Sequence, residues 1–299
     1  EILRKTNRGH SLLQSVEATA LAKDAFLKVG YHMMPGLPGS SIESDMRMFE
    51  ELFSSPSFKP DALKIYPCTV IKGTPLYGQW SRGGFVPLSA EQAVQIIVHA
   101  KRFIPEWCRV HRIQRDIPST FISAGVNRTN LRQYVEVELK RQGMHCRCLR
   151  CREAGLAAKN RPFEILPENV ELRVQTYPAS QGLEAFISME DNVNDVVLGF
   201  CRLRLPSRCA RPEITPRTAG VRELHTFGRA LSLQGLPAGS APAFQHKGIG
   251  RTLMREAERF AREEWDCNKL VVISGVGVRP YYVQKLGYSR DGVYVSKAL

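Results

Sequence analysis

Three features of the 299-residue chain predict an α/β fold. Short apolar strand-like runs alternate with helical ones in the first half, the second half carries closely spaced β signals, and a glycine loop enters an amphipathic helix near the carboxy-terminal end. The balance of 43% hydrophobic and 24% charged residues is that of a globular protein. Disordered and collagenous classes are excluded, and no apolar run approaches the roughly 18 residues of a membrane span. The opening residues, broken by charge, do not read as a secretory signal, so a cytoplasmic location and no membrane partner are expected. The length suits two domains, and a start at Glu1 reads as a piece of a longer protein.

Residues 10–28 repeat Leu12, Leu13, Val16, Ala20, Leu21, Ala25 and Leu27 at helical spacing. A strand over 29–34 then runs into Pro35-Gly36-Leu37-Pro38-Gly39, which must leave a sheet because proline donates nothing to a ladder. Ser41 opens a helix over 41–53, residues 62–67 read as a strand, and Ser89 caps a helix over 91–103. Strand alternating with helix implies parallel strands with right-handed crossovers. A boundary follows near 154–167, where Gly155, Pro162 and Pro167 interrupt a polar stretch. Beyond it, β signals at 170–177, 184–189 and 195–205 surround a hairpin turn at 191–195. Loops at 206–218 and 231–243 flank a strand over 220–227.

The 42 Lys and Arg against 29 Asp and Glu give a net charge of +13, a field that attracts polyanions. Residues 101–152 hold twelve basic and four acidic side chains. The excess reads either as a solvated basic face or as an RNA or DNA surface, with Lys5, Arg8, Lys64, Lys72, Arg112, Arg115 and Arg128 as candidate contacts. Cys146, Cys148 and Cys151 offer three soft ligands within six positions, the pattern of a structural zinc. His111 is the preferred fourth ligand, with Cys108 and His145 as competitors.

Gln245-His246-Lys247-Gly248-Ile249-Gly250 leads into a helix over 251–265 with an apolar stripe, and a strand over 269–274 follows. Glycines before a helix let the backbone wrap an anion, and the helix supplies free N–H groups and the positive end of its dipole. The spacing resembles the pyrophosphate loop of the GCN5-related N-acetyltransferases, which bind acetyl-coenzyme A. Gly277-Val278-Arg279-Pro280-Tyr281-Tyr282-Val283-Gln284-Lys285-Leu286-Gly287-Tyr288 supports that likeness, since a tyrosine there can protonate the departing thiolate.

Val221-Arg222-Glu223-Leu224-His225, residues 244–250 and the tyrosine pair together resemble one family, the catalytic subunit of Elongator and its bacterial and archaeal relatives. His32-Met33-Met34-Pro35-Gly36-Leu37-Pro38-Gly39, Leu63-Lys64-Ile65-Tyr66-Pro67 and Arg112-Ile113-Gln114-Arg115-Asp116-Ile117-Pro118 are similar to the later part of its radical S-adenosylmethionine domain. The resemblance implies the last part of a radical-SAM (β/α) barrel over 1–145, a cysteine-containing linker with a zinc clamp over 146–165, and an acetyltransferase domain over 166–299. It implies a transferase that uses acetyl-coenzyme A to modify carbon 5 of the wobble uridine, with the tRNA anticodon region and Elongator-type subunits or a homodimer as partners. S-adenosylmethionine and a [4Fe-4S] cluster belong to the full-length family, whose cluster cysteines lie upstream of Glu1.

Tyr282 is the expected acid with Tyr281 packed beside it, and Glu223 or His225 is expected to place the water or acceptor. Coenzyme contacts are expected from Glu223, Leu224, His225, Thr226, Phe244, Gln245, His246, Lys247, Gly248, Ile249, Gly250, Arg251 and Tyr282. Four residues separate Tyr282 from Gly287, where the family pattern has three. The alternatives are a protein lysine acetyltransferase and a non-catalytic module that binds RNA and coenzyme A.

Overall fold

The first half's strands are short because glycines and prolines interrupt them, and their apolar residues face one side. The computed structural model describes residues 1–160, 163–227 and 248–299. Residues 1–16 and 29–150 form one unit and residues 17–28 and 151–299 another. The first unit's strands are β1 (Gly30–Met33), β2 (Ala62–Ile65), β3 (Thr69–Ile71), β4 (Arg109–Ile113) and β5 (Ile122–Gly125). β1, β2 and β4 form a parallel sheet in that order, and β3 pairs antiparallel with β5. Helices α1 (Ile2–Lys5), α2 (Leu12–Asp24), α3 (Ile42–Ser54), α4 (Pro75–Ser81), α5 (Ala90–Phe103) and α6 (Leu131–Arg141) complete the order of elements to residue 141.

Both expected serine caps form. Ser41 accepts from the Ser44 N–H and Ser89 from the Gln92 N–H, and in each case the third helical side chain returns a bond to the cap, satisfying two orphan donors at once. Leu63, Ile65 and Val110 are fully buried, as are Phe49 of α3, Ile96 and Ile97 of α5 and Leu131 of α6. Strand alternation therefore puts Lys64 on the other side of the sheet, with His32 opposite it in register, and an irregularity that skips His111 brings Arg112, two residues after buried Val110, opposite Lys64 as well.

The second unit follows α7 (Leu149–Arg152) and α8 (Ala154–Asn160) with β6 (Val170–Ala179), β7 (Gly182–Asp191), β8 (Val196–Leu205), β9 (Thr218–Thr226), α9 (Ile249–Glu263), β10 (Lys269–Val272), β11 (Ser289–Asp291) and β12 (Tyr294–Ala298). One seven-stranded sheet runs β11-β12-β10-β9-β8-β7-β6. All neighbours are antiparallel except β9 and β10, and α9 is the crossover that such a parallel pair requires.

Residues 17–28 pack within this second unit, whereas the expectation assigned all of 1–145 to the first. The apolar periodicity of α2 does not mark its buried side. Leu12, Leu13 and Leu21 are exposed, while Lys23 and Asp24 are fully buried. Arg204 donates to Asp24 Oδ1 at 2.8 Å and to Glu184 Oε1 at 2.9 Å, Lys23 lies 3.6 Å from Glu184, and Arg222 reaches Glu184 Oε2 at 2.8 Å. Phe26 fills the space left by Gly220, where a Cβ would meet its ring at 2.2 Å. Buried charges of this kind persist only when paired and hydrogen-bonded.

Candidate coenzyme site and cysteine cluster

β9 changes character along its length. Thr218, Ala219, Gly220 and Val221 pair with Lys269, Leu270, Val271 and Val272 of β10 on one side, and Gly220 and Val221 with β8 on the other. The last contact with β10's side is Ile273 N–H to Val221 O at 3.3 Å. Beyond it, Glu223, Leu224, His225 and Thr226 keep their β8 partners but have no strand on the other edge among the described residues. A bulge at Arg222 coincides with this parting, since Arg202 faces Glu223 while Leu203 faces Val221. Bulges bend a strand and raise its twist, which separates β9 from β10.

The start of α9 lies beside the open half. Gly248 has φ +84, which a side chain would strain, and nothing lies within 4 Å of where its Cβ would be. A Cβ on Gly250 would sit 3.2 Å from Tyr281 Oη, 3.8 Å from Thr226 Cγ2 and 4.0 Å from Leu224 Cδ2. Tyr281, Thr226 and Leu224 thus converge on the first turn of a 15-residue helix, where backbone N–H groups and the dipole favour an anion. Ile249 is buried and Arg251 is exposed next to that turn. Phe244, Gln245, His246 and Lys247 lie outside the described residues.

Glu223 and His225 belong to the opposite face of β9. Glu223 accepts from Arg202 at 3.0 Å and from Lys28 at 3.2 Å. Burial pushes its carboxyl upward, but the two cations outweigh burial and hold it below the ordinary value. It is therefore an ion-paired carboxylate, poorly suited to take a proton. His225 stacks near Phe200 at 6.0 Å and tilts onto Phe227 at 4.6 Å. One residue that sequence patterns did not single out is Ser274, just after β10, whose buried Oγ has no hydrogen-bond partner among the described residues.

The tyrosines occupy a π-turn, Tyr281–Lys285, which holds one residue more per turn than an α-helix and accommodates the four-residue spacing to Gly287. Tyr282 is buried, with its ring 6.0 Å from Tyr288 and 5.3 Å from Tyr281. Burial, then the neighbouring Cys201 and Tyr281, push its phenol far upward. Tyr281 is half-buried, and burial raises its phenol while Arg251 opposes the rise.

Cys146, Cys148 and Cys151 form a group whose sulfurs all lie within 4.8 Å of one another. A tetrahedral zinc would hold its sulfurs about 3.8 Å apart, so the three donors fit with little movement. His111 of β4, Cys108 and His145 are not members of the group. Lys101 of α5 stands there instead, its Nζ 3.0 Å from Cys146 Sγ and 3.9 Å from Cys148 Sγ. Lys101 acts there as a hydrogen-bond donor to the sulfurs, a neighbour that spacing rules for Cys and His do not find.

Of the seven candidate RNA contacts, Lys64 and Arg112 are neighbours across β2 and β4. Arg112 pairs with Asp116, and Arg115 lies 5.9 Å from the centre of the Tyr66 ring. Lys5 pairs with Glu1, and Arg128 covers Tyr134 and donates to its hydroxyl. Arg8 lies in the irregular segment after α1 and Lys72 in the turn after β3. No helix among the described residues is long and apolar enough to cross a membrane.

Comparison with known proteins agrees with this division. Residues 60–141 match the Radical_SAM C-terminal domain and residues 156–288 the acetyltransferase (GNAT) family. The chain is 48% identical over 301 residues to a tRNA uridine(34) acetyltransferase of Methanocaldococcus infernus and 45% identical over 300 residues to Elongator complex protein 3 of Dictyostelium discoideum. Each match covers 100% of this chain but only 55% and 53% of those relatives, so the chain spans about half their length. A solved structure of the Methanocaldococcus infernus Elp3 with an N-terminal deletion superposes with a TM-score of 0.94 at 48% identity, covering 100% of this chain and 69% of that one.

Proposed function

The chain belongs to the Elongator catalytic-subunit family, and on that premise we propose that it is the later part of a tRNA uridine acetyltransferase. The observation that carries this reading is the open half of β9 beside the amino-terminal turn of α9. Gly248, Ile249, Gly250 and Arg251 hold the coenzyme's pyrophosphate, with Phe244, Gln245, His246 and Lys247 completing the loop. Glu223, Leu224, His225 and Thr226 offer backbone to its arm, which adds to the sheet edge as a strand would. Bound acetyl-coenzyme A supplies an activated acetyl group as a thioester. The tyrosine pair supplies the proton that the departing thiolate needs. Ion-paired Glu223 fixes the strand's polar face and His225 borders the acceptor's side of it.

The acceptor is the wobble uridine of tRNA, modified at carbon 5. Lys64 and Arg112 stand opposite one another across β2 and β4, and an anionic partner relieves their repulsion beyond what Asp116 does for Arg112. Lys5, Arg8, Lys72, Arg115 and Arg128 extend the phosphate contacts, which make binding salt-sensitive. Cys146, Cys148 and Cys151 hold a structural zinc. S-adenosylmethionine and an iron–sulfur cluster serve the full-length enzyme. The single cysteine group found among the described residues is spent on zinc, and no step here runs through the cluster. The enzyme works in the cytoplasm with Elongator-type subunits or as a homodimer.

The test is acetyl-coenzyme A turnover by the full-length protein, with and without tRNA and with histone peptides as control. Thioester cleavage stimulated by tRNA supports the reading. Stimulation by the peptides alone selects a protein lysine acetyltransferase, and coenzyme binding without turnover selects a non-catalytic module.

A further inference from the structure

α2 ends in a turn that fixes the residues after it. Phe26 takes φ +61, its N–H bonds to Lys23 O at 2.9 Å, and the Leu27 N–H bonds to Ala22 O at 2.9 Å, the pattern of a helix stop that glycine usually supplies. Three contacts then fasten three successive residues within the second unit. Tyr294 Oη donates to Ala25 O at 3.0 Å, the Phe26 ring fills the notch at Gly220, and Arg222 Nη1 donates to Leu27 O at 2.8 Å. The next residue, Lys28, is thereby set beside β9 where the open half begins. Its Nζ lies 3.2 Å from Glu223 Oε1, and its side chain is 60% exposed.

The coenzyme reading given above, on which this inference rests, sets the direction of the coenzyme's arm. Pyrophosphate at the first turn of α9 lies by Thr226 and Leu224, so an arm that follows the open edge runs back toward Glu223 and brings the thioester to the point where β9 and β10 part. α9 covers the face of Leu224 and Thr226, which leaves the face of Glu223 to an acceptor. We propose that Lys28 is such an acceptor, a self-acetylation site of this chain. The unprotonated Nζ, having given one proton to water, bonds to the acetyl carbonyl carbon, and the carbon–sulfur bond breaks with its electron pair going to sulfur. The nitrogen's surplus proton goes to the thiolate, so the products are acetyl-Lys28 and free coenzyme A. The new amide is neutral, and Glu223 exchanges an ion pair for an uncharged neighbour.

The experiment incubates the full-length protein with acetyl-coenzyme A, without tRNA, and follows acetylation of each lysine by peptide mass spectrometry beside a coenzyme A titration. Lys28 gains the acetyl group roughly 100-fold or more faster than exposed Lys72 and Lys140, which react only from solution. Gly250→Glu, which blocks the anion-binding turn, brings Lys28 down to the rate of those two, and excess free coenzyme A does the same to the wild-type protein. Lys28→Arg keeps a cation at Glu223 and takes no acetyl group there. Mixed with Gly250→Glu, it leaves the Lys28 of that variant at the background rate, because transfer runs within one chain. Coenzyme A binding with Lys28 no faster than Lys72 overturns the proposal, as does fast acetylation that survives Gly250→Glu or passes between chains in the mixture. A wild-type protein that binds no coenzyme A overturns the coenzyme reading itself.

Discussion

The two halves of β9 are built from one strand and do different work. Between Thr218 and Val221 the strand runs between β8 and β10, Gly220 receives the Phe26 ring, and the Arg204 and Arg222 guanidiniums join the buried charges nearby. Between Glu223 and Thr226 it has a partner on one edge only among the described residues, and small or aliphatic side chains lie under a helix start and a tyrosine hydroxyl. The Arg222 bulge separates them. A backbone edge left without a strand retains hydrogen-bonding groups that must be satisfied by water or ligand. Closed sheet supplies rigidity, and the open half can then present its backbone without collapsing.

The closed half breaks with the largest effect on stability. Arg204→Ala leaves Asp24 and Glu184 buried with a lost partner, and we expect a cost of about 3–5 kcal/mol in chemical denaturation. Coenzyme A affinity, corrected for the folded fraction, stays near wild type. An unchanged midpoint would mean that the buried charges contribute little to the fold.

The open half breaks with the opposite signature. Gly250→Glu puts a bulky anion beside Tyr281 Oη at the anion-binding turn, and coenzyme A affinity should fall roughly 100-fold or more with the denaturation midpoint within about 1 kcal/mol of wild type. Titration calorimetry separates the two effects, and wild-type affinity removes this turn from the site.

A smaller effect comes from acid. Glu190 and Glu223 are both held below the ordinary carboxylate value despite the upward push of burial, Glu190 chiefly by Arg152 and Ser188, and Glu223 by Arg202 and Lys28. Groups depressed in the folded state lend stability that is present above the unfolded value, about 4.3, and is lost as pH falls through the folded value. Stability should therefore decline below about pH 4.5, and Arg152→Gln should flatten that limb. A limb of equal steepness in the variant would remove Glu190 from the account.

Legibility in the sequence follows the range of the interactions. The serine caps, the glycine entry to α9 and the hairpin before β8 are local, and they form where spacing places them. Burial of Lys23 and Asp24 was not legible, because their partners Glu184 and Arg204 lie 161 and 180 positions away and helical periodicity counts only apolar residues. The glycine turn before α9 was legible as a motif, but the edge of β9 that has no strand among the described residues depends on where β10 stops. Likewise the tyrosine pair was visible and its rotation was not, since a π-turn differs from an α-turn by a single residue. At the cysteine group, the three cysteines were readable, while their neighbour Lys101 comes from a helix 45 positions earlier.

Amide hydrogen exchange of β9 with and without coenzyme A tests the central claim most directly. The account predicts new protection at the amides of Glu223, Leu224, His225 and Thr226, and at the first turn of α9, with exchange at Thr218, Ala219, Gly220 and Val221 unchanged. Protection that appears equally in both halves, or only in the closed half, would contradict the assignment of the open edge as the place where the coenzyme lies.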